Sequence, residues 1–80
     1  MSNRVYFCYE KGDFCGLFVI ASSRGKAKEL FAREVMTDFT EVRSRLSKKE
    51  VVDYDEGVID VGDPLLEKIG LQYCEDEEEF

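Results

Sequence analysis

Two strand-like apolar runs stand on either side of "EKGD" in residues 4–21, "RVYFCYEKGDFCGLFVIA". Gly12 supplies the positive φ that a tight turn needs. A two-residue loop at Lys11 and Gly12 sets Tyr9 opposite Phe14, Phe7 opposite Gly16 and Val5 opposite Phe18. The side-chain period of two then predicts one face made of Val5, Phe7, Tyr9, Phe14, Phe18 and Ile20. Gly16 leaves a gap in that face which a helix can approach. The other face carries Tyr6, Cys8, Glu10, Cys15, Leu17 and Val19. A change of one residue in the loop would reshuffle every pair.

The period lengthens in "SSRGKAKELFAREVMTDF". Ala27, Leu30, Phe31 and Val35 recur at i, i+3, i+4 and i+8, which predicts a helix over 24–36 that stops near Thr37 and Asp38. Ser22 or Ser23 caps its first turn. Arg24, Lys26, Lys28, Glu29 and Arg33 lie off the apolar stripe. Alternation returns in "FTEVRSRLS" (39–47). Thr40, Val42, Ser44 and Leu46 share one side there, and Glu41, Arg43 and Arg45 the other, as in a half-buried strand. Strand, helix and strand in succession predict a right-handed crossover with parallel pairing. Residues 50–61 read as either an irregular strand or a packed loop. "DPLLEKIG" is a short helix with Asp63 as cap, Pro64 in the first position and Gly70 at the end. "LQYCE" (71–75) reads as a last strand.

These elements define an α+β fold. It has a mixed sheet of three to five strands, built from an N-terminal β-hairpin, a β-α-β crossover, a short second helix and a C-terminal strand, with the helices mainly on one face. One domain spans 1–75, and 76–80 is an acidic C-terminal tail. Eighty residues leave little room for a deep cofactor cavity, and the 44% apolar and 12% aromatic content supports a folded core.

Charge divides the chain. Residues 1–49 hold ten Lys/Arg against six Asp/Glu, whereas residues 50–80 hold one Lys against twelve Asp/Glu, within a net charge of −7. A basic surface for an anion thus stands beside an acidic surface for a basic partner. The start of the chain lacks the charged and apolar regions of a signal peptide, and no stretch approaches the length of a membrane span, so a cytoplasmic protein is expected. In that compartment Cys8, Cys15 and Cys74 are reduced thiols.

Little points to catalysis. The chain has no histidine, which removes the commonest general base and metal ligand. It has no GxSxG, Walker-type or HExxH motif, and a non-enzymatic protein without cofactor or metal is expected. Residues 53–63, "DYDEGVIDVGD", resemble a calcium loop only in composition, because Gly57 is fifth and Pro64 twelfth where the loop needs glycine sixth and glutamate twelfth. Cys8 and Cys15 face one another in the hairpin register above. They are small apolar fillers, the two ends of a cross-strand disulfide, or a zinc site with Cys74.

Three surfaces remain as candidates. A β-α-β crossover brings the helix start to the ends of both strands, so Ser22, Ser23, Arg24, Lys26, Arg45 and Lys48 would share one rim suited to a phosphate. The competing reading is an ordinary capped helix whose cations are offset by the acidic segment 53–63. The acidic residues Asp53, Asp55, Glu56, Asp60, Asp63, Glu75 and Glu77 form a candidate partner-binding face. Tyr6, Cys8, Cys15, Leu17 and Val19 form a candidate dimer face, unless the second helix covers them.

The stretches "VIASSRGKAKELFA", "FTEVRSRL" and "YDEGV" resemble small uncharacterised proteins encoded by phages and prophages of Gram-positive bacteria. The resemblance covers roughly residues 17–60. It implies an intracellular accessory protein of a phage. Small acidic proteins in that setting are often inhibitors of host or defence proteins. The expected function is therefore inhibition of a host or defence protein with a basic surface, as a partial DNA mimic, with no direct binding of nucleic acid and no membrane. The alternatives are a binder of a phosphate-bearing small ligand, such as a signalling nucleotide, and a structural homo-oligomer.

Overall fold

The computed structural model describes residues 3–13, 15–60 and 62–71. The expected C-terminal strand beyond Leu71, Cys74 and the acidic tail lie outside the described residues. Four strands form one sheet in the order β3-β1-β2-β4: β1 is Asn3–Glu10, β2 Gly16–Ala21, β3 Val42–Val52 and β4 Gly57–Ile59. Helix α1 (Arg24–Val35) joins β2 to β3, and α2 (Pro64–Lys68) follows β4. The fold is α+β.

Every paired neighbour is antiparallel. β2 and β3 run in the same direction, as a crossover requires, but β1 lies between them. The expected parallel pair is therefore absent among the described residues: α1 carries the chain over β1 and sets β3 on its far side. Residues 50–60 resolve into the end of β3, a bend and the short β4, and Val61 lies outside the described residues.

The hairpin register also differs from expectation. Val5 pairs with Ile20, Phe7 with Phe18 and Tyr9 with Gly16. The cause is a longer loop. Asp13 N donates to Glu10 O (2.9 Å), and the Asp13 carboxylate accepts from Cys15 N (3.0 Å), contacts that hold the longer loop. The shift spans an even number of residues, so the paired residues of β1 and β2 keep their faces, and Phe14 lies outside the described residues. Gly16 leaves no gap for a helix: a Cβ there would collide with Cys8 O and lie 2.9 Å from the Phe7 ring.

The two faces hold two cores. Val5, Phe7, Phe18 and Ile20 pack with Val52, Ile59 and the α2 residues Leu66 and Ile69. Tyr6, Cys8, Val19 and Ala21 pack with Val42 and the α1 residues Ala27, Phe31 and Ala32. The helices thus cover opposite faces rather than one. Burying each large apolar side chain contributes about 1.5–3 kcal/mol, and both layers are needed to offset the ordering of so short a chain.

Both helices begin as their sequences dictate. Ser23 Oγ accepts from Lys26 N (3.1 Å) at the start of α1, and Met36 closes it in a left-handed conformation with φ 59°. The buried stripe is Ala27, Phe31 and Ala32, and Val35, at 38% exposure, has turned out of it. Asp63 caps α2, Pro64 opens it and Gly70 follows it with φ 81°. None of the helices among the described residues is long and apolar enough to cross a membrane.

Candidate functional site

Residue by residue, the expected phosphate rim comes apart. Ser22 N donates to Glu56 Oε2 (2.8 Å), so a carboxylate of the chain itself takes up a free donor beside the α1 N-terminus. That hydrogen bond holds the Glu56 carboxyl below the usual glutamate range. Ser23 is the helix cap, and Lys26 Nζ lies 3.8 Å from Glu29. Of the two readings of this stretch, the geometry is that of a capped helix, with Glu56 of the acidic segment on Ser22 N and Glu29 of the helix itself, rather than the acidic segment, beside Lys26.

Arg45 and Lys48 do not come round to this end of α1. Arg45 is paired with Phe7, and its guanidinium lies 5.4 Å from the centroid of the Phe7 ring, on the face that α2 covers. Strand alternation sets it opposite to α1. Lys48 Nζ is 3.7 Å from Glu50.

A different set of cations converges. Arg4, Arg24 and Lys49 line one open groove of about 500 Å³, with Tyr6 and Leu46 beside them. Irregular pairing of β1 with β3 makes this possible. Asn3 pairs with Val52, Val5 with Lys48 and Tyr6 with Leu46, so β3 has extra residues at two steps. Such bulges re-aim side chains. Arg4 Nε closes the irregular stretch by donating to Lys49 O (2.8 Å). Arg24 arrives from the first turn of α1. Sequence patterning misses Arg4 because alternation carries no signal for a bulge.

The acidic residues divide into structural and exposed ones. Asp63 is committed to Leu65 N (2.9 Å) and Glu56 to Ser22 N. Asp53, Asp55 and Asp60 are exposed, and none has a cation within ion-pair distance among the described residues. Residues 53–56 cross the end of the sheet, where Asn3 Nδ2 donates to Tyr54 O (2.8 Å). Glu75 and Glu77 lie outside the described residues.

The candidate dimer face is interior. Tyr6 and Val19 are buried, Cys8 is fully so, and Leu17 is half-buried against the same cluster. The cover is α1, not the second helix. Cys15 is exposed at the hairpin loop, and the longer loop places Leu17 rather than Cys15 opposite Cys8. Both thiols are free, and burial pushes that of Cys8 up to about 12. Cys8 therefore stays a neutral thiol, unsuited to nucleophilic attack or metal ligation at neutral pH. Among the described residues no three Cys, Asp or Glu side chains are grouped to hold a metal ion. No family model, curated protein or solved structure matches the chain.

Proposed function

We propose that this chain is a non-enzymatic binding protein whose acidic surface docks on a basic surface of a partner protein. The observation that carries this reading is the exposure of Asp53, Asp55 and Asp60 with no cation within ion-pair distance of any of them among the described residues. Carboxylates already paired within the chain would have little to offer a partner. These three lie on the connections around β4, clear of both cores. A patch of like charge steers a basic partner and fixes orientation more than it adds affinity.

Two further features support it. Each face of the sheet packs against one of the chain's own helices, which leaves the exposed carboxylates among the surfaces free to meet a partner. The buried Cys8 thiol is held neutral, and the chain has no histidine, so the usual nucleophile–base pairs are missing from the core. The resemblance to phage and prophage proteins points to a host or defence protein as the partner, and its inhibition as the outcome. A basic surface that normally holds nucleic acid would make the contact a partial mimicry of DNA.

The test is capture from host lysate with the wild-type chain and with a variant carrying Asp53→Lys, Asp55→Lys and Asp60→Lys. The wild type should retain a partner that the variant releases, with both proteins giving the same circular dichroism. Equal retention by the two would refute docking through this surface.

A further inference from the structure

We infer that the groove between Arg4, Arg24 and Lys49 is a binding site for a small phosphate monoester carried on an apolar, planar body. The inference is independent of the protein-docking reading and concerns a different surface.

Three side chains from three elements, β1, α1 and β3, supply positive charge to one groove. No carboxylate lies within ion-pair distance of any of them among the described residues. Three positive side chains lining one groove, without a carboxylate partner among the described residues, favour an added anion there. By contrast Lys26, Arg33 and Lys48 each have an internal carboxylate partner.

The site is also pre-formed. Arg4 spends its Nε–H on Lys49 O (2.8 Å), which orients the guanidinium and leaves the terminal nitrogens available. The irregular β1–β3 pairing that allows this contact falls at the groove itself. Bulges are enriched beside functional sites, where they re-aim side chains. An arginine fixed before the ligand arrives loses less conformational freedom on binding.

Ligand class follows from charge and shape. A phosphate monoester carries nearly two negative charges and three terminal oxygens, so it can meet three cations together. A carboxylate has one charge and two oxygens and would leave a cation unmet. The volume of about 500 Å³ suits a small molecule. Leu46 is 39% exposed at the groove and offers an apolar wall to a planar body. A long polyanion is disfavoured by the net charge of −7 and by Asp53 and Asp55 a few residues beyond Lys49.

Titration calorimetry with adenosine monophosphate, adenosine and inorganic phosphate tests the assignment on the full chain. Adenosine monophosphate should bind saturably, and each of the other two at least about tenfold more weakly. Arg24→Gln and Lys49→Gln, both exposed positions outside the cores, should each weaken binding by about tenfold. Lys68→Gln, at the end of α2, should leave it unchanged. Circular dichroism confirms that each variant is folded. No saturable heat with adenosine monophosphate at millimolar concentration overturns the proposal. So does binding that Arg24→Gln and Lys49→Gln leave intact, or inorganic phosphate binding as tightly as the nucleotide.

Discussion

Gly16 is where a single atom decides local geometry. It sits opposite Tyr9 with no room for a Cβ, since Cys8 O and the Phe7 ring occupy that space. The carbonyl belongs to the backbone and cannot swing aside. Gly16→Ala should therefore cost roughly 2–3 kcal/mol in a denaturant titration. An unchanged midpoint would mean that the hairpin relaxes more easily than its packing implies. Cys8 makes a second test at this scale. Burial raises its thiol from 9.0 to about 12. Below pH 9 both the folded and unfolded chains hold the proton. Between pH 9 and 12 the unfolded chain loses it first, so the folded state binds more protons and stability falls as pH rises. A chain carrying Cys15→Ser and Cys74→Ser should accordingly resist a thiol reagent at pH 8 until it is unfolded. Adding Cys8→Ala should flatten the loss of stability above pH 9. Rapid labelling of native Cys8 would contradict the burial.

At the scale of elements, the sequence was legible wherever a local period or cap decides the outcome. Ser23, Asp63, Pro64 and Gly70 mark helix ends through their own hydrogen bonds or dihedral limits, and the structure has them in those roles. Face membership of the paired residues of β1 and β2 is the same in the expected and observed registers, because the two differ by an even number of residues. The assignments that failed depended on long-range partners. The crossover motif does not say whether β3 lies beside β2 or beyond β1, and that choice sends Arg45 to the face opposite α1. The bulges that bring Lys49 towards Arg4 leave no trace in periodicity. β3 also carries an inherent hazard, being eleven residues long and an edge strand among the described residues. Arg43 and Arg45, both exposed, guard it by charge. Arg43→Val with Arg45→Val should raise aggregation markedly in light scattering at high protein concentration. A double variant that stays monodisperse would show that the edge is protected in another way.

Across the whole molecule, two thin cores enclose one sheet within 31 × 29 × 19 Å, and function is left to the surface. That surface is divided. Arg4, Arg24 and Lys49 gather where β1, β3 and α1 meet, whereas Asp53, Asp55 and Asp60 flank the end of the sheet and β4. The charge split between the two parts of the chain was plain from composition. Which carboxylates would be consumed internally was not, because the partners of Glu56 and Asp63 are set by folding. The central claim is that Asp53, Asp55 and Asp60 bind a partner electrostatically, and exposed charges are screened over about 8–10 Å at physiological salt. The most direct measurement is the affinity for the captured partner as a function of salt concentration, for wild type and for the Asp53→Lys, Asp55→Lys, Asp60→Lys variant. Wild-type affinity should fall steeply with added salt, and the variant should bind weakly at every salt concentration. Affinity that is indifferent to both salt and charge reversal would contradict the claim.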